Sequence, residues 1–159
     1  MGVRAEALAK RFEAKAQEAT EVFERLSDAD WKKVTGGEKW SVGVVAHHIA
    51  GAHEAIGGII KNIATGQTGP TFTMDMLHDM NAKHAQEHAN CSKAEVLALH
   101  KKGAGAAAAI VRGLEDASLD RTATVLQGMP AMSAQQAAEG ILLNHVDEHL
   151  KSIRAAVGR

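Results

Sequence analysis

Apolar residues recur every three or four positions along most of the chain, which is the spacing of one face of an α-helix. The repeat is clearest near the N-terminus, where it runs from Leu8 to Leu26. Alanine is abundant, the chain has only two prolines, and no stretch alternates β-branched with polar residues in the way that a half-exposed strand does. The pattern therefore predicts an all-α protein.

Capping residues and glycine-containing loops divide this pattern into separate helices. Ser41 is suited to begin a helix, and Ser92 and Ser133, each followed three residues later by Glu or Gln, predict capping boxes. The predicted helices cover roughly residues 3–26, 42–65, 74–89, 93–114 and 133–157. Four are long and the third is short, so we expect residues 1–159 to form one domain, a four-helix bundle with one short extra helix.

The two halves of the chain resemble one another. Residues 25–31 ("RLSDADW") and 113–119 ("GLEDASL") each end a helix, and each is followed, after a linker, by a helix that contains "VAHHI" or "LLNHV". This correspondence indicates a duplicated helix pair with pseudo-twofold symmetry inside the bundle. Such symmetry would place His48 opposite His145.

Charge and composition narrow the classes of function. Eighteen Lys and Arg residues balance nineteen Asp and Glu residues, tyrosine is absent, and no long basic run exists, so we expect no nucleic-acid partner. No apolar run approaches the roughly 20 residues of a membrane helix, and the charged N-terminus is unlike a signal peptide. We expect a cytoplasmic protein that acts on a small molecule. Cys91, the single cysteine, cannot form an internal disulfide, and its place just before a helix leaves a catalytic thiol as a minor alternative.

Two histidines one helical turn apart interrupt the apolar stripe of the last helix. The inward-facing stripe is predicted to contain Ala134, Ala138, Ile141, His145, His149 and either Ile153 or Ser152. Side chains at positions i and i+4 lie side by side, so His145 and His149 are close enough to share an ion. A buried imidazole without partners costs free energy, and two of them need a reason to be there.

The second helix offers a third imidazole. Its inward stripe is predicted as Val45, His48, Ala52, Ile56, Ile59 and Ile63, with His47 one residue out of line. Three histidines from facing helices would hold a divalent ion and leave positions open for water or substrate, as catalytic sites do. The alternative reading is that His48, His145 and His149 are only polar groups of the core.

The remaining histidines are assigned weaker roles. His84 and His88 also stand four residues apart, but their surroundings are polar and nothing near them in sequence supplies a third ligand, so they are not expected to bind metal. His53 lies on a different face from His48 and is expected to be exposed or to support a ligand. We expect His78 and His100 at the surface.

Two segments resemble a known family. "EKWSVGVVAHHIAGAH" (38–53) resembles the Trp-Ser/Thr-Val signature, with its following His, that opens the second helix in the DinB-like (DinB/YfiT-like) superfamily of metalloenzymes. "LLNHVDEHLKSIRAA" (142–156) is similar to the closing His-x-x-x-His signature, and the likeness extends over almost the whole chain. The resemblance implies a four-helix bundle, often dimeric, with zinc or nickel held by three histidines. By position these are His48, His145 and His149.

The resemblance also implies a range of activities. Members of this superfamily include transferases and isomerases that depend on low-molecular-weight thiols such as mycothiol or bacillithiol, and some hydrolases. We therefore expect a thiol S-transferase, with a metal-dependent hydrolase or a non-catalytic, stress-associated metal-binding bundle as alternatives, and a homodimer as the assembly. A structural ion normally has a fourth protein ligand, and the symmetry mate of His149 is Ala52, which favours an enzyme.

Overall fold

The computed structural model describes residues 2–67, 69 and 71–159, and in this part of the chain the predicted all-α architecture is confirmed. The helices are α1 (Val3–Arg25), α2 (Asp28–Lys32), α3 (Val42–Thr65), α4 (Met74–Glu87), α5 (Lys93–Arg112), α6 (Ala134–Ala137) and α7 (Asn144–Val157). A 3₁₀-helix (Asp116–Asp120) and two short antiparallel strands, β1 (Thr122–Ala123) and β2 (Met132–Ser133), lie between α5 and α6. The chain stays helical between α6 and α7, through a π-helical segment at Ala138–Leu143.

Helices α1, α3, α5 and the continuous α6–α7 rod form the predicted four-helix bundle. Each packs against two others, in the order α1, α5, α3, α7 and back to α1. This order agrees with a twofold axis that relates the α1–α3 pair to the α5–α7 pair. Such an axis exchanges α1 with α5 and α3 with α7, so the packing of α3 on α5 is repeated by the packing of α7 on α1. Large apolar side chains from α1, α3 and the α6–α7 rod fill the centre, and α5 adds smaller ones: Phe12, Phe23, Ile49, Ile60, Leu142 and Leu150, with Val96 and Val111 from α5. Among the described helices, none combines the length and the apolar character needed to cross a membrane.

The capping residues begin the helices largely as the sequence predicts. The hydroxyl of Ser41 accepts a hydrogen bond from a backbone N–H in the first turn of α3. Ser133 and Gln136 form both bonds of a capping box. Ser92 accepts the bond from the N–H of Glu95, but the structure shows only this half of the predicted box. Local hydrogen bonds of this kind depend on neighbouring residues alone, which is why sequence places them well.

Helix α2 was not predicted, because five residues are too few to show a helical period. It presents Trp31, whose indole N–H donates to the carbonyl of Cys91 (3.0 Å). The Cys91 thiol in turn donates to the carbonyl of Gly43 (3.3 Å), and burial raises its pKa above the ordinary value. A raised pKa disfavours the reactive thiolate, so this structure gives no support to Cys91 as a nucleophile.

The π-helical segment shifts the buried face of the last helix by one position. The predicted stripe continues from Ala138 through Ile141 to His145 and His149. The observed core-facing residues instead include Ala134, Ala138, Leu142, Val146, Leu150 and Ile153. A π-helical turn holds an additional residue and so rotates everything that follows it. As a result His145 and His149 lie at the border of the core and not in its centre. His48 on α3 is also only partly buried.

Helix α4 is the short extra helix and lies against α3 outside the four-helix core. None of its fourteen residues is buried. Three of its methionines, Met74, Met76 and Met80, are about half exposed. Apolar burial therefore contributes little to holding α4 in place.

Candidate functional site

The structure brings together the three histidines that the sequence predicts as ligands. His48 comes from α3 and His145 and His149 come from α7, and one ring nitrogen from each lies within 4.8 Å of the others. The Nε2 atoms of His48 and His145 are 3.0 Å apart. We refer to these three residues as the α3–α7 triad. Its geometry is observed, while its binding of a metal is a prediction.

The α3–α7 triad fits a divalent ion. Nitrogen ligands lie roughly 2.0–2.1 Å from zinc, so two ligands of one ion are about 3.0–3.4 Å apart, which matches the observed Nε2–Nε2 distance. Imidazole is a preferred ligand of zinc and nickel. The Nδ1 atom of His145 is buried and has no hydrogen-bond partner among the residues that the structure describes. The ring of His149 keeps 20% of its exposure, so the triad is accessible from solvent.

Two imidazoles of the α3–α7 triad, those of His48 and His145, are held in the neutral form that binds metal. Burial, followed by the nearby His149, lowers the pKa of His48 to about 4. The same two causes, together with His48, lower the pKa of His145 to about 2. Both rings therefore carry a free lone pair at neutral pH.

Glu38 completes the surroundings of the α3–α7 triad. Its Oε2 atom lies 2.6 Å from Nδ1 of His149, so the Nδ1–H donates to the carboxylate and the Nε2 lone pair is left for an ion. Burial raises the pKa of Glu38, but hydrogen bonds from His149, its own backbone N–H and Ser152 outweigh this and leave the pKa below the ordinary value. Sequence reasoning missed Glu38 because it lies in a loop with no helical period. The available signal was its place two residues before Trp40.

A second group of three histidines lies beside the first. Nδ1 of His47 is 2.7 Å from Nε2 of His84, the rings of His47 and His88 stack at 3.8 Å, and one nitrogen from each of the three lies within 4.8 Å of the others. We refer to this group as the α3–α4 triad. The expectation that nothing could supply a third ligand for His84 and His88 was wrong, because α4 packs on α3 and so meets His47.

The two triads are neighbours in space. His47 and His48 are adjacent on α3 and each joins a different triad, and the ring centroids of His48 and His84 are 5.4 Å apart. The Trp40 ring lies beside the same two rings, with centroid distances of 5.4 Å to His48 and 6.4 Å to His84. Burial, then His47 and His88, lowers the pKa of His84 to about 4, and burial also lowers the pKa of His47. His47 and His84 of the α3–α4 triad are therefore also held in the neutral form that can bind a metal ion.

His53 and His100 are fully buried. The prediction of a surface position for His100 was therefore wrong, and His53, which was expected to be exposed or to support a ligand, instead contacts His100. Nε2 of His100 lies 2.8 Å from the carbonyl of Ala16, so this nitrogen carries the proton, and Nδ1 of His100 accepts from Nε2–H of His53 at 2.9 Å. Gly103 permits this burial, because a Cβ there would come within 3.1 Å of the carbonyl of Ala50. Close contact of α5 with α3 therefore encloses both rings.

This pair makes the protein sensitive to acid. Burial lowers the pKa of His53 to about 3, and it also lowers the pKa of His100. The unfolded chain takes up protons at these rings below pH 6.5 while the folded chain does not, so stability is complete above pH 6.5 and falls as the pH drops. At pH 5, His53 alone should cost about 2 kcal/mol of the free energy of unfolding.

Urea unfolding at pH 7 and pH 5, in the presence of a chelator, measures this loss in the wild type and in a His53→Leu/His100→Leu variant. Replacing both partners by apolar residues leaves neither ring nitrogen unpaired. We expect the variant to lose about 2 kcal/mol less between the two pH values than the wild type does. Equal losses would show that the pair does not titrate on unfolding.

A cavity of about 400 Å³ lies between α1 and α5. Its lining includes Ala16, His100 and Ala104, and none of the six triad histidines. Among the described residues, the groups that could hold a metal ion are the two triads, and we take them as the candidate site.

Comparison with known proteins agrees with the fold. The family model for the DinB superfamily matches residues 11–153. Two solved structures of a mycothiol-dependent maleylpyruvate isomerase, one carrying a His-to-Ala substitution, are similar, with TM-scores of 0.73 and 0.74 at 11% and 10% sequence identity. The alignments cover 94% of this chain but 60% of each isomerase chain, so this chain spans well under two thirds of their length. No curated protein matches the chain significantly.

Proposed function

The chain belongs to the DinB superfamily, and we propose that it is a divalent-metal-dependent enzyme that uses a low-molecular-weight thiol as its cofactor. The observation that carries the proposal is the α3–α7 triad, in which three imidazoles from two helices converge. The fold alone does not imply an activity, because one fold supports many functions. The proposed activity follows from what these side chains can bind.

The ligand set favours an enzyme over a structural metal site. Three protein ligands leave coordination positions open for water or substrate, whereas structural zinc sites are closed by a fourth protein ligand. The position on α3 that corresponds by symmetry to His149 holds Ala52, which cannot ligate. The partial exposure of His149 gives a small molecule access to the site.

A zinc or nickel ion bound by the α3–α7 triad would supply Lewis-acid chemistry, which favours the thiolate form of a cofactor thiol. Residues around the triad would orient its ligands, keep them unprotonated and line the site. Glu38 orients the ring of His149, burial keeps His48 and His145 unprotonated, and Trp40 forms an aromatic wall beside His48. In the proposed reaction the thiol loses its proton to solvent, and its sulfur forms a bond to an electrophilic carbon of the substrate as the bond from that carbon to a leaving group breaks. The leaving group departs with the electron pair and takes a proton from solvent.

A thiol is favoured over water as the nucleophile. The two structures of similar fold belong to a mycothiol-dependent isomerase. A metal-dependent hydrolase, the alternative, uses a general base to activate water. Glu38 is the carboxylate observed against the triad, and it is engaged in orienting His149. A thiol requires less help from a base because its pKa is far lower than that of water.

Cobalt(II) in place of the native ion provides a direct test. We expect mycothiol or bacillithiol, added to the cobalt-loaded protein, to produce a thiolate-to-cobalt charge-transfer band. The S-methylated form of the same thiol, which cannot become a thiolate, should produce none. His149→Ala should abolish the band, while the exposed His78 serves as the matched control through His78→Ala. Cobalt binding with no thiol band would exclude the thiol cofactor, and ester hydrolysis by such a protein would favour the hydrolase.

A further inference from the structure

We propose that His47, His84 and His88 form a second transition-metal site, so that each chain binds two divalent ions side by side. Imidazole ligands suit ions such as zinc, nickel or cobalt(II) rather than magnesium or calcium. The proposal concerns different residues from the α3–α7 triad and does not rest on its proposed function.

The geometry of the α3–α4 triad is that of a ligand set. His84 and His88 occupy positions i and i+4 on α4, which places their rings on one face, with centroids 4.8 Å apart. That face meets His47 on α3, whose Nδ1 lies 2.7 Å from Nε2 of His84. Three nitrogens from two helices thus converge to within 4.8 Å of one another, so that small side-chain movements would bring all three to one ion.

A second observation concerns the ring of His84. Its Nε2 atom faces His47, but its Nδ1 atom is buried and, within the described residues, has no hydrogen-bond partner. An unpaired buried polar atom costs free energy. An ion bound at Nε2 would leave Nδ1 unpaired, but its bond to the ring is far stronger than the missing hydrogen bond and would offset that cost.

An ion in the α3–α4 triad would have a physical role, which is to attach α4 to α3. This helix buries none of its residues, and Met74, Met76 and Met80 remain about half exposed, so apolar packing does not explain its position. An ion held jointly by α3 and α4 would connect the two helices. The second ion would thereby hold α4 beside the first site, whose His48 lies 5.4 Å from His84 between ring centroids.

Carboxylates near both triads reduce the repulsion between two dications. The negative charge of Glu95 favours positive charge at His47, and the negative charge of Glu87 favours it at His84. Glu38 does the same at the other triad, where it faces His149. Each proposed ion therefore has its own acidic group nearby.

Zinc titration of the metal-free protein, followed by calorimetry and elemental analysis, tests the proposal. We expect two ions per chain in the wild type and one in His88→Gln, because glutamine keeps the polarity but not the metal-binding imidazole. His78→Gln, an exposed histidine on the same helix, should retain two. Hydrogen exchange of the α4 amides should slow on addition of zinc in the wild type and stay fast in His88→Gln.

The variants separate this proposal from the proposed function. A single ion that is lost in His149→Ala and kept in His88→Gln would overturn the second site and leave the first intact. A single ion that is lost only in His88→Gln would support the second site and remove the basis of the proposed enzyme. Exchange of α4 that zinc does not change in the wild type would overturn the anchoring role.

Discussion

Replacing His149 by alanine should remove the ion of the α3–α7 triad and leave the helical content unchanged. The variant loses one of three ligands, and two imidazoles on different helices do not hold a divalent ion tightly. The core-facing residues of α7 are Val146, Leu150 and Ile153, none of which the substitution touches. His145→Ala should behave in the same way.

Plasma mass spectrometry on untagged protein measures the loss, as one zinc or nickel fewer per chain than in the wild type. Circular dichroism measures helical content, and His78→Ala is the control because His78 is exposed and outside both triads. An unfolded metal-free variant would mean that the ion is structural, since folding would then depend on metal binding. Unchanged metal content in both variants would overturn the site.

Replacing Glu38 by alanine should weaken binding of the same ion roughly 10–100-fold, the range typical of partners that orient a metal-binding histidine. Without the carboxylate, the Nδ1–H of His149 loses its acceptor at 2.6 Å, and the ring is free to rotate. The negative charge that favours a cation nearby is lost as well. Glu38→Gln keeps an acceptor but not the charge, so its affinity should fall by less.

Competition between the protein and a zinc chelator measures these affinities. Glu54→Ala is the matched control, since Glu54 is an exposed acidic residue on α3. An equal affinity in Glu38→Ala and the wild type would show that Glu38 does not orient a ligand. A loss as large in Glu54→Ala would show that the effect is one of general charge.

The expected homodimer, small-molecule substrate and cytoplasmic location remain predictions, and so does the identity of the ion. The comparisons with known proteins establish the family and the bundle. At 10–11% sequence identity, the similarity to the two isomerase structures does not establish an activity for this chain. The experiments on the two triads address the chemistry directly.

The error in the predicted stripe of the last helix has one physical origin. Extending a period of 3.6 residues along α7 assumes a regular helix, and the π-helical segment at Ala138–Leu143 breaks that assumption. His145 and His149 kept their relation to one another, because their spacing of four lies wholly beyond the π-helical segment. Their relation to the core changed, and the site became partly open to solvent as a consequence.

The sequence by itself determined the helices, their beginnings and the pairing of His145 with His149, because each depends on residues within a few positions of one another. The ends of the long helices lie within two residues of the predicted ones. The inward stripe predicted for the second helix suggested His48, and the family resemblance selected the same residue by position. Only the tertiary structure decided that α4 brings His84 and His88 to His47, that a loop brings Glu38 to His149, and that α5 encloses His100. These contacts join residues between 37 and 111 positions apart, and their formation depends on how whole helices pack, which no local pattern records.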